Sequence, residues 1–302
     1  MTVPAISIQG LTKRYGKLVA VKDLSLTVNQ GEIFGFLGLN GAGKTTTIRI
    51  LLDLLRPDSG SAAVLGCDCR RNGLEARSLI GYLPGEVELY GDMTGEQVLE
   101  LLSHLRRKSA SRAFRRRLQE RLNLPDHELR RKLREYSTGM KRKLSLIQAF
   151  QSDPPVLILD EPTEGLDPLM QESFYDLLAE VRSRGRTVFM SSHVLSEVER
   201  VCGRIGLIRQ GELALLASVP DLHKMAHRKV RAVFDADVIA PPQGFPPDFE
   251  ILEITPRSWH LRVQGALGPL MPTLAGLPVL DLDVEEPRLE EILIRYYREE
   301  NP

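Results

Sequence analysis

Long apolar runs are missing from this 302-residue chain. No stretch approaches the roughly 20 residues of a membrane-crossing helix, so a function at a bilayer would need another polypeptide to cross it. The N-terminus has no secretory-leader pattern. Cysteine is scarce: Cys67, Cys69 and Cys202 leave one thiol unpaired in any disulfide scheme, as expected of reduced thiols in the cytosol. Cys67-Asp68-Cys69 supplies half of a metal-site spacing, and no second Cys or His pair completes it.

Net charge is also absent, with 40 Lys plus Arg against 40 Asp plus Glu, but the balance hides an asymmetry. Residues 106–143 are crowded with Arg and Lys, whereas 281–300 are mostly acidic. A solvated helix face is the plain reading of each. The basic stretch otherwise suits an anionic surface, and because no aromatic residues interleave for base stacking, lipid headgroups suit it better than nucleic acid.

What is present is a phosphate-binding loop, Gly38-Leu39-Asn40-Gly41-Ala42-Gly43-Lys44-Thr45. It lies between an apolar run at 33–37, suited to a buried strand, and a segment at 46–52 with helical apolar spacing. Glycines let successive backbone N–H groups turn towards phosphate oxygens, and the helix N-terminus adds partial positive charge. Asn40, Gly41, Gly43, Lys44, Thr45 and Thr46 are therefore the expected phosphate contacts. Lys44 would reach the β- and γ-phosphates and the Thr45 hydroxyl would ligate Mg²⁺.

Around the loop, residues 5–9 and 18–36 read as antiparallel strands, with further strands at 61–65 and 80–83. Helical periodicity runs from 95 to 122, with Val98, Leu99, Leu101, Leu102 and Leu105 as its apolar face and Thr94 with Gln97 as a capping box. Helices at 168–183 and 194–201 alternate with strands at 155–159, 187–191 and 205–208, which argues for an α/β sheet. Gln210-Gly211-Glu212 reads as a hairpin turn. A composition shift after Pro220 marks a small α+β domain at 221–302, with strands near 229–235, 251–255 and 259–264, a Pro-rich loop at 241–247 and an amphipathic helix at 287–300.

The buried run at 155–159 ends on Asp160-Glu161. In a phosphate-loop protein this strand is expected to lie beside the strand feeding the loop. Asp160 would then hold the Mg²⁺ hydration shell, and Glu161 would sit near the attacking water.

Further segments, in order, give the chain its resemblance to the ATP-binding cassette ATPases. Tyr136-Ser137-Thr138-Gly139-Met140 resembles the cassette signature, normally Leu-Ser-Gly-Gly-Gln. Residues 161–168 look like the stretch from the catalytic carboxylate to the D-loop, Ser191-Ser192-His193 looks like the switch-histidine loop, and Tyr15 matches the aromatic that stacks on adenine. The resemblance implies an α/β P-loop NTPase fold, with a RecA-like core sheet, an antiparallel β subdomain and an inserted helical subdomain at about 86–150, all within 1–220. It also implies two nucleotide domains, as a homodimer or with a paralogue, that pair head to tail around two ATP molecules. Ser137 and the Gly139 backbone would meet the γ-phosphate across the interface, which Asp167 would also cross. Glu161 and His193 would serve hydrolysis.

The chain departs from the family pattern at two places. Thr138 and Met140 alter the signature, and Gly85 stands where the family places the Q-loop Gln, a metal-contacting residue. Glu286-Pro287-Arg288-Leu289-Glu290 resembles a tail common in ATPase subunits of bacterial drug, antibiotic or lipid exporters. The expectation is an ATPase on the inner face of the plasma membrane, energising a separate transmembrane permease, with no nucleic acid partner. The alternative is a soluble cassette ATPase acting on ribosomes or DNA, although a single phosphate loop and the lack of a heptad insertion fit it less well.

Overall fold

A computed structural model describes residues 3–86, 90–105, 111–225, 227–241, 249–264, 266–285 and 296. Arg106, Arg107 and Lys108 of the basic stretch, the Pro-rich loop beyond residue 241, and the 286–300 tail and helix apart from Tyr296 lie outside them. The chain divides into two compact units, Met1–Leu216 and Ala217–Pro302.

The first unit opens with β1 (Ile6–Tyr15) and β2 (Leu18–Val28), followed by β3 (Ile33–Leu37) and α1 (Lys44–Leu51). Next come β4 (Ser59–Val64), β5 (Cys67–Asp68), α2 (Gly73–Ser78) and β6 (Ile80–Leu83). The helical part is α3 (Gly95–His104), α4 (Arg112–Arg121), α5 (Asp126–Leu129) and α6 (Thr138–Phe150). The chain then alternates through β7 (Val156–Asp160), α7 (Pro168–Ser183), β8 (Thr187–Ser192) and α8 (Leu195–Val201) to β9 (Arg204–Arg209) and β10 (Glu212–Ser218).

Two sheets result. One is ordered β2-β1-β4-β5 and is antiparallel; the other is β10-β9-β3-β8-β7-β6, in which β9, β3, β8, β7 and β6 run parallel. The sequence reading placed 33–36 among the antiparallel strands, but β3 belongs to the parallel sheet. All five of its residues are buried, so it needs cover on both faces, whereas β2 alternates and can face water on one side. Phe34, Phe36 and Phe189 pack there, with ring centroids 5.3 and 5.8 Å apart.

A second correction concerns strand order. β7 does not lie beside β3, because β8 stands between them. Asp160 still reaches the start of α1, which packs across towards β7 and brings Thr45 Oγ1 within 3.1 Å of it.

Local signals fixed several elements. Thr94 and Gln97 form both bonds of the capping box on α3, and Asp167 caps α7 ahead of Pro168. Gln210 and Gly211, both left-handed, turn β9 into β10. The expected apolar face of α3 is only partly right: Val98 and Leu99 are buried, but Leu101 and Leu105 are exposed. The face that α3 sets against α6 is narrower than its apolar stripe.

The second unit contains α9 (Val219–Met225), β11 (His227–Phe234), β12 (Phe249–Thr255), β13 (Ser258–Gln264), α10 (Met271–Ala275) and β14 (Val279–Glu285). Its sheet is ordered β12-β13-β11-β14. Residues 281–285 of the acidic stretch form strand rather than helix. Asp281, Asp283 and Glu285 alternate with Leu282 and Val284, and the two apolar residues pack on the core around Trp259 and Phe234.

Candidate functional site

The site forms at the carboxyl ends of β3, β7 and β8, where open α/β sheets place their ligands. The loop after β3 turns through Gly41 (φ +81°) and Gly43 (φ +113°). A Cβ at Gly43 would also meet the Ala20 carbonyl at 2.5 Å, so this position excludes a side chain twice over. α1 starts directly after Gly43, leaving its first N–H groups facing the loop.

Lys44 is buried at 6 % exposure. Its Nζ donates to the carbonyls of Gly38 and Leu39 and lies 3.3 Å from Glu161 Oε1. Thr45 Oγ1 donates to Asp160 Oδ2 at 3.1 Å, while the Ser191 hydroxyl donates to the other Asp160 oxygen. Glu161 adopts a left-handed backbone (φ +47°), with its N–H donating to Ser191 Oγ and the Ser191 carbonyl. His193 Nδ1 lies 2.9 Å from Glu161 Oε2. Glu161 Oε1 is buried and makes no hydrogen bond among the described residues, although Lys44 is at ion-pair distance.

A cavity of about 790 Å³ is lined by Tyr15, Asn40, Gly41, Gly43, Lys44, Thr45, Thr46, Asp160 and Glu161. Tyr15 and Leu18 give its lining exposed apolar surface, and Lys44 gives it a cation. This volume and polarity fit a nucleoside triphosphate. A hydroxyl and a carboxylate oxygen side by side, Thr45 and Asp160, are a hard-oxygen pair suited to Mg²⁺, which takes few protein ligands and completes its shell with phosphate and water.

Ser137, Gly139 and Asp167 do not line this cavity. Ser137 caps α6 through Met140 N–H, Gly139 faces the Gly165 carbonyl, and exposed Asp167 caps α7 through Met170 N–H. Gly85 does line it. A Cβ there would meet Asp160 Oδ2 at an ordinary 3.6 Å, so nothing steric demands a glycine.

Sequence reasoning missed Arg142, Ser191, Tyr82 and Arg49. Burial and the nearby Asp160 charge push the Tyr82 phenol up to about 12. Arg142 is only 3 % exposed; burial lowers its pKa, and Glu164, Asp160 and Glu161 oppose that shift. A signal for Arg142 existed: it begins a stripe at 142, 145, 146, 149 and 150 whose members are all buried.

The ABC transporter family profile matches residues 21–164. The Nod factor export ATP-binding protein I of Burkholderia orbicola (strain AU 1054) is 33 % identical over 98 % of this chain and 97 % of its own length. The bacitracin transport ATP-binding protein BcrA of Bacillus licheniformis is 35 % identical over 96 % of each chain. An uncharacterized ABC transporter ATP-binding protein of Nostoc is 40 % identical, and the match spans 62 % of its length. Among solved structures, the ATP-binding subunit of an ABC transporter superposes with a TM-score of 0.68 at 28 % identity, covering 73 % of this chain and 92 % of that one. With the cavity built on Lys44, Thr45, Asp160 and Glu161, these similarities lead to one conclusion: the chain belongs to the ATP-binding proteins of the ABC transporter family.

Proposed function

We propose that this chain binds ATP with Mg²⁺ and hydrolyses it to drive export through a separate transmembrane permease, at the inner face of the plasma membrane. The observation that carries the reading is the Glu161 carboxylate set between Lys44 and His193, next to the Thr45–Asp160 pair. Lys44 would neutralise the β- and γ-phosphates, and the loop N–H groups would orient them. Mg²⁺, held by Thr45 and Asp160, would supply charge neutralisation to the phosphates. Glu161 would take the proton of the attacking water, and His193 would steady Glu161 and meet the γ-phosphate.

Ser137, Gly139 and Asp167 lie outside the cavity of their own chain, which suits a second cassette, a homodimer or a related partner, completing each site. Tyr15, 47 % exposed beside Lys13, offers a ring face for adenine. Export is supported by the name of the Nod factor relative, and transport by that of the bacitracin relative, which match over nearly their whole length. No helix of the described residues is long and apolar enough to cross a membrane, in keeping with a separate permease.

The basic stretch gives little support to a ribosomal or nucleic acid role. Arg117 and Arg121 pair with Glu180, and Arg142 points inward. The test is single-turnover hydrolysis of radiolabelled ATP with and without Mg²⁺, together with co-purification from native membranes. Absence of hydrolysis, or purification without any membrane protein, would overturn the reading.

A further inference from the structure

Arg142 sits one turn into α6, the helix capped by Ser137 and carrying Gly139 in its first turn, the two residues of the proposed cross-interface contact. It is almost wholly buried, yet among the described residues it hydrogen-bonds no carboxylate. All three guanidinium nitrogens donate to backbone carbonyls instead. Nη1 reaches Pro84 O at 2.7 Å and Gly85 O at 3.0 Å. Nη2 reaches Asp160 O at 3.1 Å and Glu161 O, and Nε reaches Pro162 O at 3.3 Å. One rigid, planar fork thus joins three segments: the signature helix, the loop after β6 and the end of β7.

The end of β7 is strained. Glu161 is a non-glycine residue in the left-handed region, a conformation that persists only where its surroundings over-determine it. Its N–H is held by Ser191, its carboxylate by His193, and its carbonyl by Arg142. The loop after β6 carries Gly85, which has no side chain to anchor it to the site; its carbonyl is held by the same guanidinium.

We propose that Arg142 is the positioning residue that fixes Glu161 in its left-handed conformation and ties that carboxylate to the helix bearing Ser137. Movement of α6 against a second cassette is thereby transmitted to the backbone of Glu161 and Gly85 together. This rests on the reading of Glu161 as the general base.

The test uses the full chain carrying Arg142→Lys, which keeps the charge and loses the fork. Single-turnover hydrolysis falls about tenfold or more, while equilibrium affinity for a fluorescent ATP analogue stays within about twofold. On a Glu161→Gln background the same change costs no more than about twofold, because the group it positions has already been removed. Equal losses on both backgrounds, or affinity falling in step with rate, would overturn the proposal.

A stability readout stands apart from catalysis. Glycine adopts the left-handed backbone without a tie, so Glu161→Gly restores the unfolding midpoint lost in Arg142→Lys, even if the single variant folds poorly. No recovery would also overturn the proposal. Should Glu161→Gln hydrolyse ATP at the parental rate, the base assignment fails instead, and the tie is judged on the unfolding midpoints alone.

Discussion

His193 Nδ1 and Glu161 Oε2 lie 2.9 Å apart, and the other oxygen of the same carboxylate is 3.3 Å from Lys44 Nζ. The His193 ring nitrogen and the Lys44 ammonium thus flank the two oxygens of one carboxylate. On the proposed reading of Glu161 as the general base, its carboxylate is the group to test. Glu161→Gln preserves shape and removes basicity. It is expected to keep ATP affinity, to lower hydrolysis by about 10²–10⁴-fold and to trap an ATP-bound dimer seen by size-exclusion chromatography. Hydrolysis at the parental rate would remove Glu161 from this role. Lys44→Ala, by contrast, is expected to abolish ATP binding in the same titration.

Gly85 is not required by its backbone. Its φ is not positive, and a Cβ would sit 3.6 Å from Asp160 Oδ2 without a clash. A Gln at this position would run along the Asp160 carboxylate and add a neutral oxygen donor to the hard-oxygen pair. Gly85→Gln is expected to leave hydrolysis unchanged or raise it, and to lower the Mg²⁺ concentration needed for half-maximal ATP binding. A sharp fall in rate would mean that the bare backbone is needed for the loop to sit on Arg142.

The phosphate loop, the Asp160-Glu161 strand end, the Thr94 cap and the Asp167-Pro168 helix start were legible because each is written in neighbouring residues. Strand order was not. The pairing of β8 with both β3 and β7 joins residues more than 25 positions apart, and no local pattern encodes it. Arg142 was lost in a basic stretch that reads as solvent-facing, although its 3.6-residue stripe placed it in the core. β14 was hidden by acid density. Its period of two, with Leu282 and Val284 inward, carried the strand signal that charge counting obscured.

Ser137 and Gly139 lie at the start of α6 outside the cavity lined by Lys44, so in the proposed head-to-tail pair they would meet a γ-phosphate held by the other molecule. Asn40→Cys on the exposed loop, combined with Thr138→Cys beside Ser137, should therefore crosslink between chains. With Glu161→Gln in the background, the crosslinked dimer is expected on denaturing gels when ATP and Mg²⁺ are present and not without nucleotide. A crosslink independent of nucleotide, or none at all, would reject the head-to-tail arrangement.

The second unit has its own core, and this permits a test of how separately the two units behave. Trp259 is fully buried, its indole N–H donates to the Val238 carbonyl at 2.9 Å, and its ring meets Phe234 edge-on at 4.9 Å. Trp259→Ala removes that packing and leaves the Val238 carbonyl without its indole donor, at a cost of about 3–5 kcal/mol. None of the residues lining the phosphate cavity belongs to this core. Calorimetry of the variant is expected to show one transition moved to lower temperature while ATP still raises the other by the parental amount. If the nucleotide-induced shift disappeared together with the Trp259 core, the two units would have to unfold as one.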